Sequence, residues 1–311
     1  MTTLLGRGTL ALGTRASALA RTQSLLVADA IRAAGDVDVT LVDVSTDGDR
    51  TQTTDAPLEL IGGTGVFVTA LRERLLAGDI DLAVHSLKDL PTAPARGLVV
   101  AAVPERADAR DVLVSRGGVP FADLPLGARV GTGSPRRAAQ LLAVRPDLVI
   151  APIRGNVDTR LRKVADGEYD AVVLAAAGLA RLGRSAEITE TFAIDLVLPA
   201  PGQGALAVEC RSDDPALAGL LARLDHAATR AAVIAERSLL ATLEAGCTAP
   251  VGAYAVVGKE ISLTGVVVAP DGTRMLRSIA TGSVDAAESI GRRLAEDLLA
   301  AGAADLMRTS T

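Results

Sequence analysis

Tryptophan is absent from these 311 residues, and aromatic side chains of all kinds make up only 2%. That excludes the stacking platforms on which single-stranded nucleic acid is held. A net charge of −5 excludes a general polyanion binder, which needs a basic surface. Two cysteines, Cys210 and Cys247, cannot build a disulfide framework, and two histidines, His85 and His226, offer little to a metal. No run of about 18 apolar residues is present, so no membrane span is expected. Residues 1–12 lack a charged region followed by an apolar core, the pattern of a signal peptide. These absences point to a cytoplasmic protein with neither nucleic-acid nor membrane partner and no metal. Lysine is scarce too: Lys88, Lys163 and Lys259 stand alone among 32 basic residues. Arginine supplies the rest, through codon bias or through a need for bidentate carboxylate and phosphate recognition.

What is present is 49% hydrophobic, enough for real cores in two or three domains. Strands are expected over residues 9–13, 37–44, 80–85 and 99–103, with helices over 18–34 and 66–77 between them. Ser17 is a plausible N-cap, Gly35 a stop, and Leu19, Leu26, Val27, Ala30 and Ile31 the buried stripe. This β-α-β-α-β rhythm predicts a parallel α/β domain. A charged stretch, 104–111, reads as a crossing into a second such domain. Its strands are expected at 112–115, 129–131, 148–153 and 169–175, and its helices open at Ser134-Pro135 and at Asn156. A Pro/Gly-rich connector, 198–204, then leads to a strand over 205–210 that returns to the first domain. Cys210 ends that apolar run and reads as inert core. The last part is a helix over 228–245 stopped by Gly246, strands at 251–257, 261–268 and 275–280, and a helix over 284–301. The expected domains are therefore 1–104 with 205–222, then 105–204, then 223–311.

Chemistry gathers where strands run out. Residues 80–84 are apolar and break into His85-Ser86-Leu87-Lys88-Asp89 before Pro91. In open α/β sheets such strand ends are where ligands sit. Asp89 is there either a cap, an ion-pair partner or a catalytic carboxylate. Arg136 and Arg137 fall in the first turn of a helix, where the macrodipole disfavours cations by about 0.3–1 kcal/mol each. Two arginines beside free backbone N–H groups suit an incoming anion. Arg15, Arg154, Arg160 and Arg181 also lie at or just beyond strand ends. Two domains facing each other would bring those ends to one cleft. Cys247 follows a helix C-terminus, where the partial negative charge opposes a thiolate. Chance placement and covalent attachment both remain open for it.

Six stretches carry a resemblance: residues 12–17 (LGTRAS), 83–91 (AVHSLKDLP), 131–137 (GTGSPRR), 154–160 (RGNVDTR), 199–204 (PAPGQG) and 244–247 (EAGC). In this order and spacing they resemble the hydroxymethylbilane synthase, or porphobilinogen deaminase, family over essentially the whole chain. The resemblance implies two periplasmic-binding-protein-like α/β domains around a cleft and a small C-terminal α+β domain with a three-stranded antiparallel sheet. It implies a transferase of tetrapyrrole (haem) biosynthesis, expected to be monomeric. Such an enzyme condenses four porphobilinogen molecules head to tail on a dipyrromethane cofactor. It releases four ammonia and then frees hydroxymethylbilane by hydrolysis. The cofactor is expected on Cys247 through a thioether, with Lys88, Ser134, Arg136 and Arg137 holding its side chains. Arg15, Ser17, Arg154, Arg160 and Arg181 are expected to hold substrate, and Asp89 to be the catalytic carboxylate. Where the family often has lysines around its glycine loop, this chain has Leu60 and Thr64, and where some members have arginine before Gly-Asp, it has Asp47 before Gly48-Asp49. The alternative reading is a non-enzymatic two-lobed binder of small carboxylates.

Overall fold

The protein is described as a computed structural model covering residues 8–35, 37–44, 65–245 and 249–307, with the side chains of 65–67 left aside. Its first elements are β1 (Thr9–Thr14), α1 (Ala18–Ala34), β2 (Asp38–Asp43), α2 (Gly65–Ala77), β3 (Leu82–Ser86) and β4 (Leu98–Ala102). There follow β5 (Asp111–Ser115), β6 (Arg129–Gly131), α3 (Pro135–Val144), β7 (Val149–Ala151), α4 (Val157–Ala165), β8 (Ala171–Ala175), α5 (Ala176–Arg181) and β9 (Glu190–Thr191). The chain continues through β10 (Leu206–Arg211), α6 (Pro215–Leu221), α7 (Ala227–Thr242), β11 (Val251–Val257), β12 (Ile261–Val268) and β13 (Met275–Gly282). It closes with α8 (Ala287–Ala300) and α9 (Ala303–Met307). Two compact units result: residues 1–106 with 205–230, and 107–204 with 231–311.

The first unit holds a five-stranded sheet in the order β2-β1-β3-β10-β4. β1 runs parallel to β2 and β3, as the rhythm of the sequence predicts. The sheet as a whole is mixed, because the returning strand β10 enters antiparallel between β3 and β4. Leu206 pairs with Ser86, so β10 begins at the edge where β3 ends. One face buries Leu10, Leu12, Val27, Ile31, Leu82 and Val208 against α1 and α6, and the other buries Leu71, Leu75 and Ile80 under α2. Each such Leu or Ile contributes roughly 1.5–3 kcal/mol by leaving water.

Helix α1 keeps its expected bounds, and Ser17 caps it by accepting from the Ala20 N–H at 3.3 Å. Its buried face differs from the expected stripe. Gln23, Ser24, Val27, Ala28 and Ile31 face inward, whereas Leu26 and Ala30 are exposed. Of its two buried polar residues, Gln23 is satisfied by Ser86, with Nε2 to Oγ at 3.1 Å and Oγ to Oε1 at 3.2 Å, whereas the Ser24 hydroxyl is buried without a hydrogen-bond partner among the described residues. Gly35 ends the helix in extended backbone, φ −152°, so its role is room rather than left-handed freedom. A Cβ there would meet Leu220 Cδ1 at 2.9 Å.

The second unit carries a sheet of the same plan, β7-β6-β8-β5-β9. β6 is parallel to β7 and β8, and β5 is the antiparallel insert. Leu161, Val164 and Leu179 cover one face; Phe121, Leu141 and Phe192 cover the other. The same unit contains the antiparallel sheet β11-β12-β13, filled from Ala235 and Leu239 of α7 and Leu294 and Leu298 of α8. Val266 and Val268 of β12 pack with Ala139 of α3 and Leu198, which joins the two sheets. Gly272, at φ +76°, turns the β12–β13 hairpin; a Cβ there would lie 2.4 Å from the Ala143 nitrogen. Helix α7 stops at Thr242, three residues before the expected end, and Glu244 adopts a left-handed φ of 51°. The expected stop, Gly246, lies outside the described residues.

Candidate active site

In the first unit, β1 and β3 deliver their carboxyl ends to one edge of the sheet. Arg15 follows β1 and is half-buried. From β3 the chain makes a single 3-10 turn, Leu87–Asp89, pinned by the Leu87 N–H donating to the Ala205 carbonyl at 3.0 Å. Leu90 closes the turn, and Pro91 after it prevents the turn from growing into a helix. Lys88 and Asp89 are half-buried on this turn. No described residue hydrogen-bonds or ion-pairs with the Asp89 carboxylate, which excludes for it the cap and ion-pair roles among those residues.

Behind the turn lies a buried ionic group that the sequence reading missed. Glu209 of β10 is held bidentately by Arg72 at 2.9 and 3.1 Å, and His85 Nε2 lies 3.3 Å away, off the line of a hydrogen bond. Burial pushes the Glu209 carboxyl up, but His85 and Arg72 outweigh it and the net shift is downward. A lone acid inside the apolar run of 205–210 was the available signal, since a buried carboxylate needs a partner.

In the second unit the parallel strands β7, β6 and β8 deliver Arg154, Ser134 to Arg137, and Arg181 to one edge. Ser134 caps α3, accepting from the Arg137 N–H at 3.5 Å, with Pro135 at the first helical position. Asn156 caps α4, accepting from the Thr159 N–H at 2.9 Å. Gly155 between β7 and α4 has φ +100°, and a Cβ there would lie 2.6 Å from Thr159. Arg154 is half-buried there, and Arg160 bends back so that its Nε donates to the Gly155 carbonyl at 2.9 Å. Arg181 Nη2 donates to the Gly204 carbonyl at 2.7 Å.

Arg136 and Arg137 are 3% and 6% exposed, far more buried than helix-start arginines meeting solvent. The cause is Asp111, at the head of β5 and fully buried. Its Oδ2 accepts from Arg136 Nη1 at 2.7 Å; its Oδ1 accepts from Arg137 Nε and Nη2 at 3.0 and 2.7 Å. Gln203 Nε2 adds a fourth bond, to Oδ1 at 2.8 Å. Burial opposes the Asp111 charge, but the two guanidiniums hold its carboxyl far below the usual carboxylate range. The sequence hides this residue in a charged stretch beside Asp108 and Arg110; its one signal is that an apolar strand begins with it.

The charge balance is one-sided. Arg136, Arg137, Arg160 and Arg181 crowd this edge, and Asp111 is the one carboxylate that any of them pairs with among the described residues. Burial lowers the Arg160 guanidinium to about 10, helped by the neighbouring Arg137 charge. Burial lowers Arg181 as well, and Arg136 Nε is buried with no hydrogen-bond partner. Such an edge has the donors to pair with carboxylates. Cys247, and with it Asp47, Leu60 and Thr64, lies outside the described residues.

Each of the two units thus holds an α/β sheet of one plan with basic side chains at the carboxyl ends of its parallel strands. Residues 10–219 match the porphobilinogen deaminase, dipyromethane cofactor binding domain, and residues 230–300 match the porphobilinogen deaminase, C-terminal domain. The porphobilinogen deaminase of Acidothermus cellulolyticus is 56% identical over 313 residues, covering 99% of this chain and 94% of its own. That of Thermobifida fusca is 56% identical over 302 residues, covering 94% and 93%. That of Mycobacterium tuberculosis is 52% identical over 306 residues, covering 95% and 97%. Among solved structures, a periplasmic substrate-binding protein of an ABC transporter from Coxiella burnetii aligns with 69% of this chain and 91% of its own, at 16% identity and a TM-score of 0.44. The chain belongs to the porphobilinogen deaminase family.

Proposed function

We propose that this protein is a hydroxymethylbilane synthase, joining four porphobilinogen molecules head to tail with loss of four ammonia and releasing the linear tetrapyrrole by hydrolysis. The observation that carries the reading is the arginine edge of the second unit, where Asp111 pairs with Arg136 and Arg137 while Arg160 and Arg181 bond only backbone carbonyls among the described residues. Porphobilinogen carries an acetate and a propionate, so each condensation adds two carboxylates to what must be held. An acidic protein of net charge −5 can hold such a product only by concentrating its cations locally.

The dipyrromethane fits the same residues: a buried Arg136 Nε without a partner and the uncompensated Arg160 and Arg181 suit a group bearing carboxylates. When bound, it supplies the pyrrole carbon at which the chain is extended. In this reading Cys247 carries it through a thioether, and Lys88, Ser134, Arg136 and Arg137 hold its acidic side chains. A thioether needs no persistent thiolate, so the unfavourable place of Cys247 after a helix end is no obstacle. Arg15, Ser17, Arg154, Arg160 and Arg181 hold the incoming substrate. Asp89 stabilises the cation left when the substrate loses ammonia, and accepts the protons that depart. A carboxylate without an internal partner is suited to that work, because its charge is not already spent. We further take residues 1–104 with 205–222, 105–204 and 223–311 as three domains, supported by the three separate sheets, acting as a cytoplasmic monomer without a nucleic-acid or membrane partner.

Incubation of the purified protein with porphobilinogen tests the reading. The expected result is four ammonia released per linear tetrapyrrole. Saturable binding of porphobilinogen with no ammonia release would instead make the protein a carboxylate binder.

A further inference from the structure

The Arg136–Arg137–Asp111 cluster contains more than a pair of neutralising contacts. The two Arg136 Nη1 hydrogens are both committed, one to Asp111 Oδ2 at 2.7 Å and one to the Leu198 carbonyl at 2.6 Å. Gln140 fixes Leu198 in turn, donating from Nε2 to its carbonyl at 3.1 Å and accepting from its N–H at 2.7 Å. The other edge of the same guanidinium, Nε with Nη2, bonds to no described residue, although Arg136 is 3% exposed and its Nε is fully enclosed. That edge is the bidentate fork with which arginine grips a carboxylate. On Arg137, Asp111 takes the equivalent Nε–Nη2 edge, and the Val173 carbonyl accepts from Nη1 at 3.0 Å.

We infer that Asp111 is a positioning residue: it takes Nη1 of Arg136 and the Nε–Nη2 edge of Arg137, and so leaves the buried Nε–Nη2 fork of Arg136 without a partner among the described residues, for a ligand carboxylate to take. Gln203 completes the device. It is 1% exposed, and its Nε2 donates both to Asp111 Oδ1 at 2.8 Å and to the Ala109 carbonyl at 2.7 Å. The next residue, Gly204, accepts from Arg181. A single carboxylate therefore orients two arginines directly and is tied, through the connector, to the backbone that anchors a third. Without it, two adjacent buried guanidiniums would repel, and Arg136 could turn its fork toward Leu198. The inference rests on the proposed function, because the ligand carboxylate is taken to be the cofactor's.

The test compares wild type, Asp111→Asn, Asp111→Glu, Gln203→Met and Glu209→Gln, each purified as the full chain. Thermal melts and intact mass are read for each. Glu209→Gln is the control, since it also removes a buried, arginine-paired carboxylate, but one that touches none of the anion-edge arginines. The expected result is a cooperative melt for Asp111→Asn with cofactor mass on at least tenfold fewer chains, partial recovery in Asp111→Glu, and loading within twofold of wild type in Glu209→Gln. Wild-type loading in Asp111→Asn would overturn the inference, as would an equal loss in Glu209→Gln. Should Asp111→Asn fail to fold, Gln203→Met decides: loading reduced several-fold with a normal melt supports the inference, and unchanged loading refutes it. A wild-type chain that gains no pyrrole mass even after incubation with porphobilinogen would refute the proposed function instead.

Discussion

At the scale of single residues, the chemistry divides between groups with partners and groups without. Asp111, Glu209 and Asp89 are all carboxylates at or near strand ends, yet two are locked in arginine networks and one is left open. Asp111 lies among the arginines of the second unit's edge, Glu209 is held by Arg72, and Asp89 has no such partner among the described residues. Asp89→Asn keeps the size of the side chain and removes its charge. It should fold normally and retain its pyrrole mass while losing nearly all ammonia release, by at least 10²-fold, the low end of a positioned acid–base group. Turnover within a few-fold of wild type would remove Asp89 from the mechanism. Sequence made the open residue visible, because Asp89 sits where an apolar run breaks into a polar turn. It hid the locked ones, because a buried ion pair joins Arg136 to Asp111 across 25 positions and no local pattern records a partner that distant. Cys210 was legible for the opposite reason: a thiol closing an apolar run is core, and burial pushes it up to about 11.

At the scale of elements, turn chemistry aims the arginines. β7 ends, Gly155 turns at φ +100°, Asn156 caps α4, and Arg160 returns to the Gly155 carbonyl. Removing the cap in Asn156→Ala should cost about 1 kcal/mol, within the usual span for such caps. In a unit of this size that lowers the melting temperature by about 2–4 °C. Because Arg160 is anchored on the same turn, KM for porphobilinogen should also rise; a lower melt with unchanged KM would separate the cap from the site. Caps and helix starts were readable at Ser17, Ser134 and Asn156, since capping is a local hydrogen bond within three residues. The buried face of α1 was not. Gln23 points inward because it and Ser86 satisfy each other, a tertiary bond that hydrophobic periodicity cannot register.

At the scale of the whole chain, the two five-stranded sheets repeat one plan: three parallel strands, then an antiparallel insert, then an edge strand. In the first sheet the insert is β10, which arrives after the entire 107–204 segment; in the second it is β5, which comes first. The sequence announced that a strand near 205–210 returns to the first unit, but not its direction, since an apolar run reads the same in either sense. The plan puts the candidate arginines of each unit after a parallel strand, at the carboxyl edge of that unit's own sheet, which is how an acidic protein can concentrate cations locally. The central claim is that this edge serves a covalently held pyrrole chain grown from porphobilinogen. The most direct measurement is the intact mass of the purified protein before and after incubation with porphobilinogen, with peptide mapping around Cys247. The account predicts the mass of two linked pyrroles on the Cys247 peptide, and further single-pyrrole increments during turnover. An unmodified Cys247 in protein that turns over porphobilinogen would contradict it.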